Sequence, residues 1–328
     1  MIPLSLAPDA KRGRMVSERM GARLAESLDY VFAECEGRLD LPSAAERAAF
    51  LQRLGLGPVP PIAFGLYCDL VLAISADRLE EASRLLRQLV STGSAKGLEI
   101  SALSDPGSDE GAGRIQRLID TDPTQDSPII APEPAHAARC EQLIRQALEM
   151  ISRGHPELAG EFDAMIRQVV MVDTLEGSDL TGASSFMMWG LIVLNARVYA
   201  EVVDVIGALI HESGHNLLFG LCADGPLVLN EDEELFDSPL RLDARPMDGV
   251  VHAVYVVARM HQGLATLLKA GVFDKAQAEK VRAGMRAEER AFARGRATVR
   301  AHARLSPLGE QVMAGVDAYM EGVLASVA

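Results

Sequence analysis

Residues 207–220 read GALIHESGHNLLFG and carry the pattern His211-Glu212-Ser213-Gly214-His215 inside an apolar run. On an α-helix each residue advances about 100°, so positions four apart sit one turn above each other on the same side. His211 and His215 can therefore aim two imidazole nitrogens at a single metal ion. Glu212 lies beside that face, within reach of a metal-bound water. The preceding VVDVIGALI makes the helix largely buried, and buried histidines need partners.

A metal needs at least one further ligand. The extended metzincin pattern requires Gly and His at positions that here hold Leu218 and Leu221, which excludes that class. A downstream glutamate could serve, and Glu231, Glu233 and Glu234 are candidates, but their crowded acidic stretch reads as a solvated loop. His252, in MDGVVHAVYVVARM, is the better third ligand. Its segment is apolar and helical, so the imidazole faces inward, in line with Asp248, Tyr255 and Arg259. His261, nine residues on, falls about 180° around the same helix and belongs to another face. Three histidines suit zinc, iron, copper or nickel alike, so the residues alone do not separate hydrolysis from redox chemistry.

The elements that must hold these side chains are mostly helical. One long helix is expected from Val198 to about Leu221 and a second from about Met247 to Ala270. Further helices are expected over DRLEEASRLLRQLV, over 140–151, and from the Ser306-Pro307 start pair to the C-terminal region. RQVVMVDT predicts a buried strand ending near Asp173, and SSFMMWGLIVLN a second with Gly190 inside it. Ser184, Ser185 and Asn195 flank that strand as turn and strand-end residues or as lining for a peptide, and Trp189 is read as core. Arg282, Arg286, Arg290 and Arg294 recur every four residues, the mark of a solvated face. Two Pro/Gly/Ser/Asp-rich stretches, 105–114 and 121–137, read as loop. The expected fold is mainly α with a small β-sheet (α+β), with a zincin-like metal helix carrying HExxH and no jelly-roll oxygenase core. The expected organisation is an N-terminal helical region over 1–104, a linker or loop over 105–133 and a metal-binding catalytic domain over 134–328. One continuous domain is the alternative.

The 328 residues suffice for a sizeable core, and a net charge of −14 argues against nucleic-acid or anionic-membrane partners. Four scattered cysteines without a C-x-x-C pair fit a reducing compartment. The opening MIPLSLAPDAKRGR has neither the basic leader nor the apolar run of a signal peptide, and Asp69 interrupts the most apolar stretch. A soluble, cytoplasmic protein is expected.

The run IHESGHNLLFGL, followed by DSPLRLDARPMDGVVHAVYVVARM, resembles the HExxH-motif peptide-modification proteins associated with ribosomally made, post-translationally modified peptides. The resemblance is clearest from about Ser184 to His261. Its most specific block is Ser238-Pro239-Leu240-Arg241, then Asp243, Arg245-Pro246, Gly249 and His252. It implies an iron(II)- and α-ketoglutarate-dependent oxygenase that β-hydroxylates a residue of a precursor peptide. His211 and His215 would then be iron ligands and His252 the third. If a carboxylate is required instead, Glu212, Asp248 or the 231–237 stretch supplies it. Arg241 and Arg245 become candidates for the distal carboxylate of the cosubstrate, because a guanidinium meets a carboxylate through two parallel charge-assisted bonds. Arg245 is the preferred one.

Two other readings remain open: a zinc peptidase with Glu212 as general base on the bound water, and a non-catalytic peptide-binding protein.

Overall fold

The computed structural model describes residues 2–119, 128–175, 178–240 and 243–325. In chain order these hold α1 (Ala10–Glu34), α2 (Ala44–Leu56), α3 (Pro61–Ser75), α4 (Leu79–Ser91), β1 (Glu99–Ala102), α5 (Glu110–Ile119), β2 (Ile129–Ile130), α6 (Pro134–Gly154), α7 (Pro156–Met165), β3 (Gln168–Thr174), β4 (Gly182–Ala183), β5 (Leu191–Asn195), α8 (Val202–Leu221), β6 (Leu235–Phe236), β7 (Arg245–Pro246), α9 (Met247–Lys269), α10 (Lys275–His302) and α11 (Pro307–Ala325). The architecture is mainly helical with a small sheet, an α+β fold. Among the described residues no helix is long and apolar enough to cross a membrane.

The chain divides into two compact units, each built from separated pieces. One comprises 13–141 and 163–199; the other comprises 1–12, 142–162 and 200–328.

The first unit holds the main sheet. β1, β3 and β5 lie parallel in that order, β4 closes antiparallel on β5, and β2 pairs antiparallel with β3. β5 is buried throughout and β3 nearly so, which explains their apolar runs: parallel strands covered on both faces do not alternate. α5 packs Ala112, Ile115, Leu118 and Ile119 into the same core as Val170, Val172, Leu191 and Val193. This corrects the loop reading of 105–133. A ten-residue helix and β2 lie within that span, concealed in the sequence by turn-rich flanks on both sides. Asp69, the charge inside the apolar run of α3, is accounted for by Arg114 of α5, whose Nε lies 2.7 Å from its carboxylate.

The second strand is also shorter than expected. Ser185 Oγ accepts from Met187 N at 3.2 Å and caps a single 3-10 turn over Phe186–Met188. Gly190 follows at φ +87°, a left-handed conformation that only glycine adopts without strain, and the strand begins at Leu191. Trp189 is 1% exposed, edge-on to Phe64.

The second unit is a helical assembly around α8, α9, α10 and α11. α8 begins at Val202, four residues later than its apolar pattern suggests. Asn195 Oδ1 takes the Arg197 N–H at 3.1 Å and turns the chain there instead. The start of α11 matches expectation: Ser306 Oγ accepts from Gly309 N at 3.1 Å, with Pro307 in the first turn. Arg282, Arg286, Arg290 and Arg294 are all exposed along α10, a solvated row.

A polar knot ties three of these helices. His261 of α9 contacts Tyr319 Oη of α11 at 2.8 Å and Glu289 Oε1 of α10 at 3.3 Å. Next to it, burial and the neighbouring Glu289 push the Glu288 carboxyl up to about 7. A carboxyl raised from 4.5 to about 7 favours the folded state fully below pH 4.5 and loses that contribution as pH climbs through 7. Glu288→Gln is therefore expected to leave the thermal midpoint nearly unchanged near pH ~3.5 and to stabilise the protein by roughly 2 kcal/mol near pH ~8.5. Equal effects at the two pH values, read by differential scanning fluorimetry, contradict this.

Candidate metal centre

α8 and α9 pack side by side, and the HExxH residues lie in their seam. Two features of the motif's interior allow this. Ser213 turns its hydroxyl back onto the Ile210 carbonyl at 3.2 Å, so it does not intrude. Gly214 faces α9 directly: a Cβ there would stand 3.2 Å from Val256 Cγ1, so the bare backbone is what lets the helices come this close.

The structure brings together all three histidines singled out in the sequence. His211 Nε2 and His215 Nε2 are 3.1 Å apart within α8. His215 Nδ1 and His252 Nδ1 are 3.1 Å apart across the seam, with the two rings nearly parallel at 16°. The polar line continues at both ends. Asp248 Oδ2 lies 3.7 Å from His252 Nε2, one turn earlier on α9, and Met260 Sδ lies 3.3 Å from His211 Nδ1. Five side chains thus form one row: Asp248, His252, His215, His211 and Met260. Phe219 flanks it, with its centroid 6.2 Å from His215 and 5.2 Å from His252.

His252 is 6% exposed, whereas His211 and His215 are only partly covered, so the row is recessed and open at the α8 side. Burial pushes the His211 imidazole down to about 4. His215 falls well below the ordinary value through burial, reinforced by His211 and His252 on either side. Burial also lowers His252, with Asp248 opposing the shift. Each shift favours the neutral imidazole, the form that has a lone pair to donate.

Two nitrogens each about 2.1 Å from a first-row cation stand about 3 Å apart, so the His211–His215 pair fits a common ion without rearrangement. His252 is placed differently. It meets His215 through Nδ1, while His211 meets the same ring through Nε2. One ring donates one nitrogen to one ion, so the row as it stands offers two ligands to a point, and His252 joins them only if a ring turns.

The remaining candidates are distributed as follows. Glu212 is buried at 5% exposure in α8. Glu231 and Glu233 are exposed, and Glu234 is engaged by Arg304 Nη2 at 2.5 Å, in keeping with a solvated loop. Arg245 sits in β7, immediately before α9, and its Nη2 is 2.7 Å from Asp243 Oδ2. Arg241 lies outside the described residues. Met260 and Phe219 were not anticipated, although the signals were present: Phe219 is four residues beyond His215 and Met260 eight beyond His252, each on the matching helix face.

No family model matches the chain, and no curated protein matches it.

Proposed function

We propose that the protein is an iron(II)- and α-ketoglutarate-dependent oxygenase that hydroxylates the β-position of a residue in a ribosomally made precursor peptide. The observation that carries this reading is the row of three imidazoles, with His211 and His215 at ligand spacing and His252 in contact with His215 across the seam. The resemblance of the 211–252 block to the HExxH peptide-modification proteins selects redox chemistry over hydrolysis. In this reading α8 is a zincin-like helix put to a different use.

His211 and His215 would hold the iron, with His252 as the third ligand after rotation of its ring or of His215. Iron with its 2-oxo acid supplies, when bound, the oxidising power for cleavage of a C–H bond. The chain's own residues do the rest. Asp248, one turn from His252, lies 3.7 Å from its Nε2, and its negative charge favours the tautomer that carries the ring proton there. Phe219 walls one side of the imidazoles and excludes water there. Arg245 takes the distal carboxylate of the cosubstrate by exchanging Asp243 for it, since both are carboxylate partners for the same guanidinium. Arg241 is the second candidate for that role. Cytoplasmic residence fits the four unpaired cysteines.

The zinc-peptidase reading rests on Glu212, which occupies the general-base position of the motif. One experiment separates the two. Anaerobically iron-loaded protein given α-ketoglutarate and then air is expected to form succinate, and co-expression with its precursor peptide is expected to add one oxygen atom to that peptide. Zinc retention without succinate, accompanied by peptide cleavage, overturns the oxygenase reading.

A further inference from the structure

A second cluster lies in the unit that holds the sheet. β1, β3 and β5 run parallel, so their carboxyl ends fall at one edge. Within these strands buried polar residues gather at that edge: Asp173 and Thr174 close β3, and Asn195 closes β5. Ligands of open parallel sheets bind at the carboxyl ends of the strands. Asn195 is spent internally, donating to Thr174 Oγ1 at 3.0 Å and to the Leu180 carbonyl at 2.9 Å. Asp173 is not fully spent. It is 5% exposed, its Oδ2 accepts from Glu133 N at 3.1 Å and faces His136 Nδ1 at 2.8 Å, and among the described residues its buried Oδ1 has no hydrogen-bond partner.

This fixes the chemistry of His136. With Nδ1–H committed to Asp173, the lone pair is on Nε2, and the side chain keeps 23% exposure. The carboxylate of Glu133, which is 75% exposed, is 3.9 Å from that nitrogen. Glu133 immediately precedes α6 and His136 lies in its first turn, and the 3.9 Å separation puts the two side chains together at that end of the helix. We propose that Glu133 and His136 bind a divalent cation of the zinc class, with Asp173 as the buried buttress. An imidazole nitrogen and a carboxylate oxygen suit borderline metals, and a carboxylate behind a ligating histidine raises its basicity and locks its ring. The two carboxylates balance the two charges of the cation, and water completes its coordination. This site is independent of the one formed by His211, His215 and His252.

Equilibrium dialysis of the full chain against zinc(II), with metal counted per chain, tests the assignment. Glu133→Gln and His136→Ala are each expected to bind one zinc fewer than the wild type. Asp173→Asn is expected to weaken that zinc 10- to 100-fold. Glu133 is exposed, so its variant should keep the wild-type thermal midpoint in zinc-free buffer, which guards against misfolding as the cause. Equal zinc content in the wild type, Glu133→Gln and His136→Ala overturns the proposal and leaves His136 as a structural partner of the buried Asp173 carboxylate.

Discussion

His215→Ala is expected to strip the protein of tightly bound iron and to reduce succinate formation by more than about a hundredfold, beyond the loss that outer-shell changes cost. His215 is the middle member of the row: it touches His211 through one nitrogen and His252 through the other. Its removal breaks the ligand pair in α8 and the contact across to α9 together. His252→Ala should be milder, because the His211–His215 pair survives it. Iron per chain by plasma emission spectroscopy, followed by succinate assay, ranks the variants. If His215→Ala retains iron at the wild-type level while remaining folded, the row is not a metal centre. The fold should tolerate the change, since His215 is only partly covered.

The second large effect concerns stability. Arg12, Glu161 and Arg259 are each 1% exposed and meet in one buried cluster. Arg12 Nε donates to Glu161 Oε1 at 2.8 Å, and Arg259 Nη2 donates to Glu161 Oε2. The two guanidinium groups also hold the amino-terminal segment: Arg12 donates to the carbonyls of Ser5 and Ala7, and Arg259 to that of Leu6 at 2.7 Å. Removing the shared carboxylate leaves two buried cations facing each other. Glu161→Ala is therefore expected to cost about 3–5 kcal/mol in urea unfolding. Glu161→Gln, which keeps acceptor capacity but not charge, should fall between. Limited proteolysis should open residues 5–9 first in the alanine variant. A loss below about 1 kcal/mol in Glu161→Ala would mean that this cluster contributes little to holding the unit together.

Much of the candidate site was legible because helical periodicity is local. The spacing of His211 and His215, and the inward face of His252, follow from 100° per residue and an apolar surround, as does the separation of His261 from them. What periodicity does not encode is which nitrogen of a ring points where, so the split contacts of His215 were invisible. Arg245 illustrates a different limit. Its residue type suits a dicarboxylic acid, yet Asp243, two residues away, already meets that charge. In the fold, α5 was concealed because turn-forming residues on both sides outweighed four apolar positions at helical spacing. The make-up of the units was concealed for a long-range reason. Arg12, Glu161 and Arg259 are brought together from separations of 98 and 149 residues, and no window of sequence reports such a meeting.

Gly214 gives the motif an unequal tolerance at its two unnamed positions. At 213 a small hydroxyl folds back onto its own helix, against the Ile210 carbonyl. At 214 a Cβ would already press on Val256, 3.2 Å from its Cγ1. Any branched or long substituent must lever the two rods apart, and because His215 and His252 sit on opposite rods, their spacing widens in step. The letter G in HESGH therefore sets the distance between His215 and His252 across the seam.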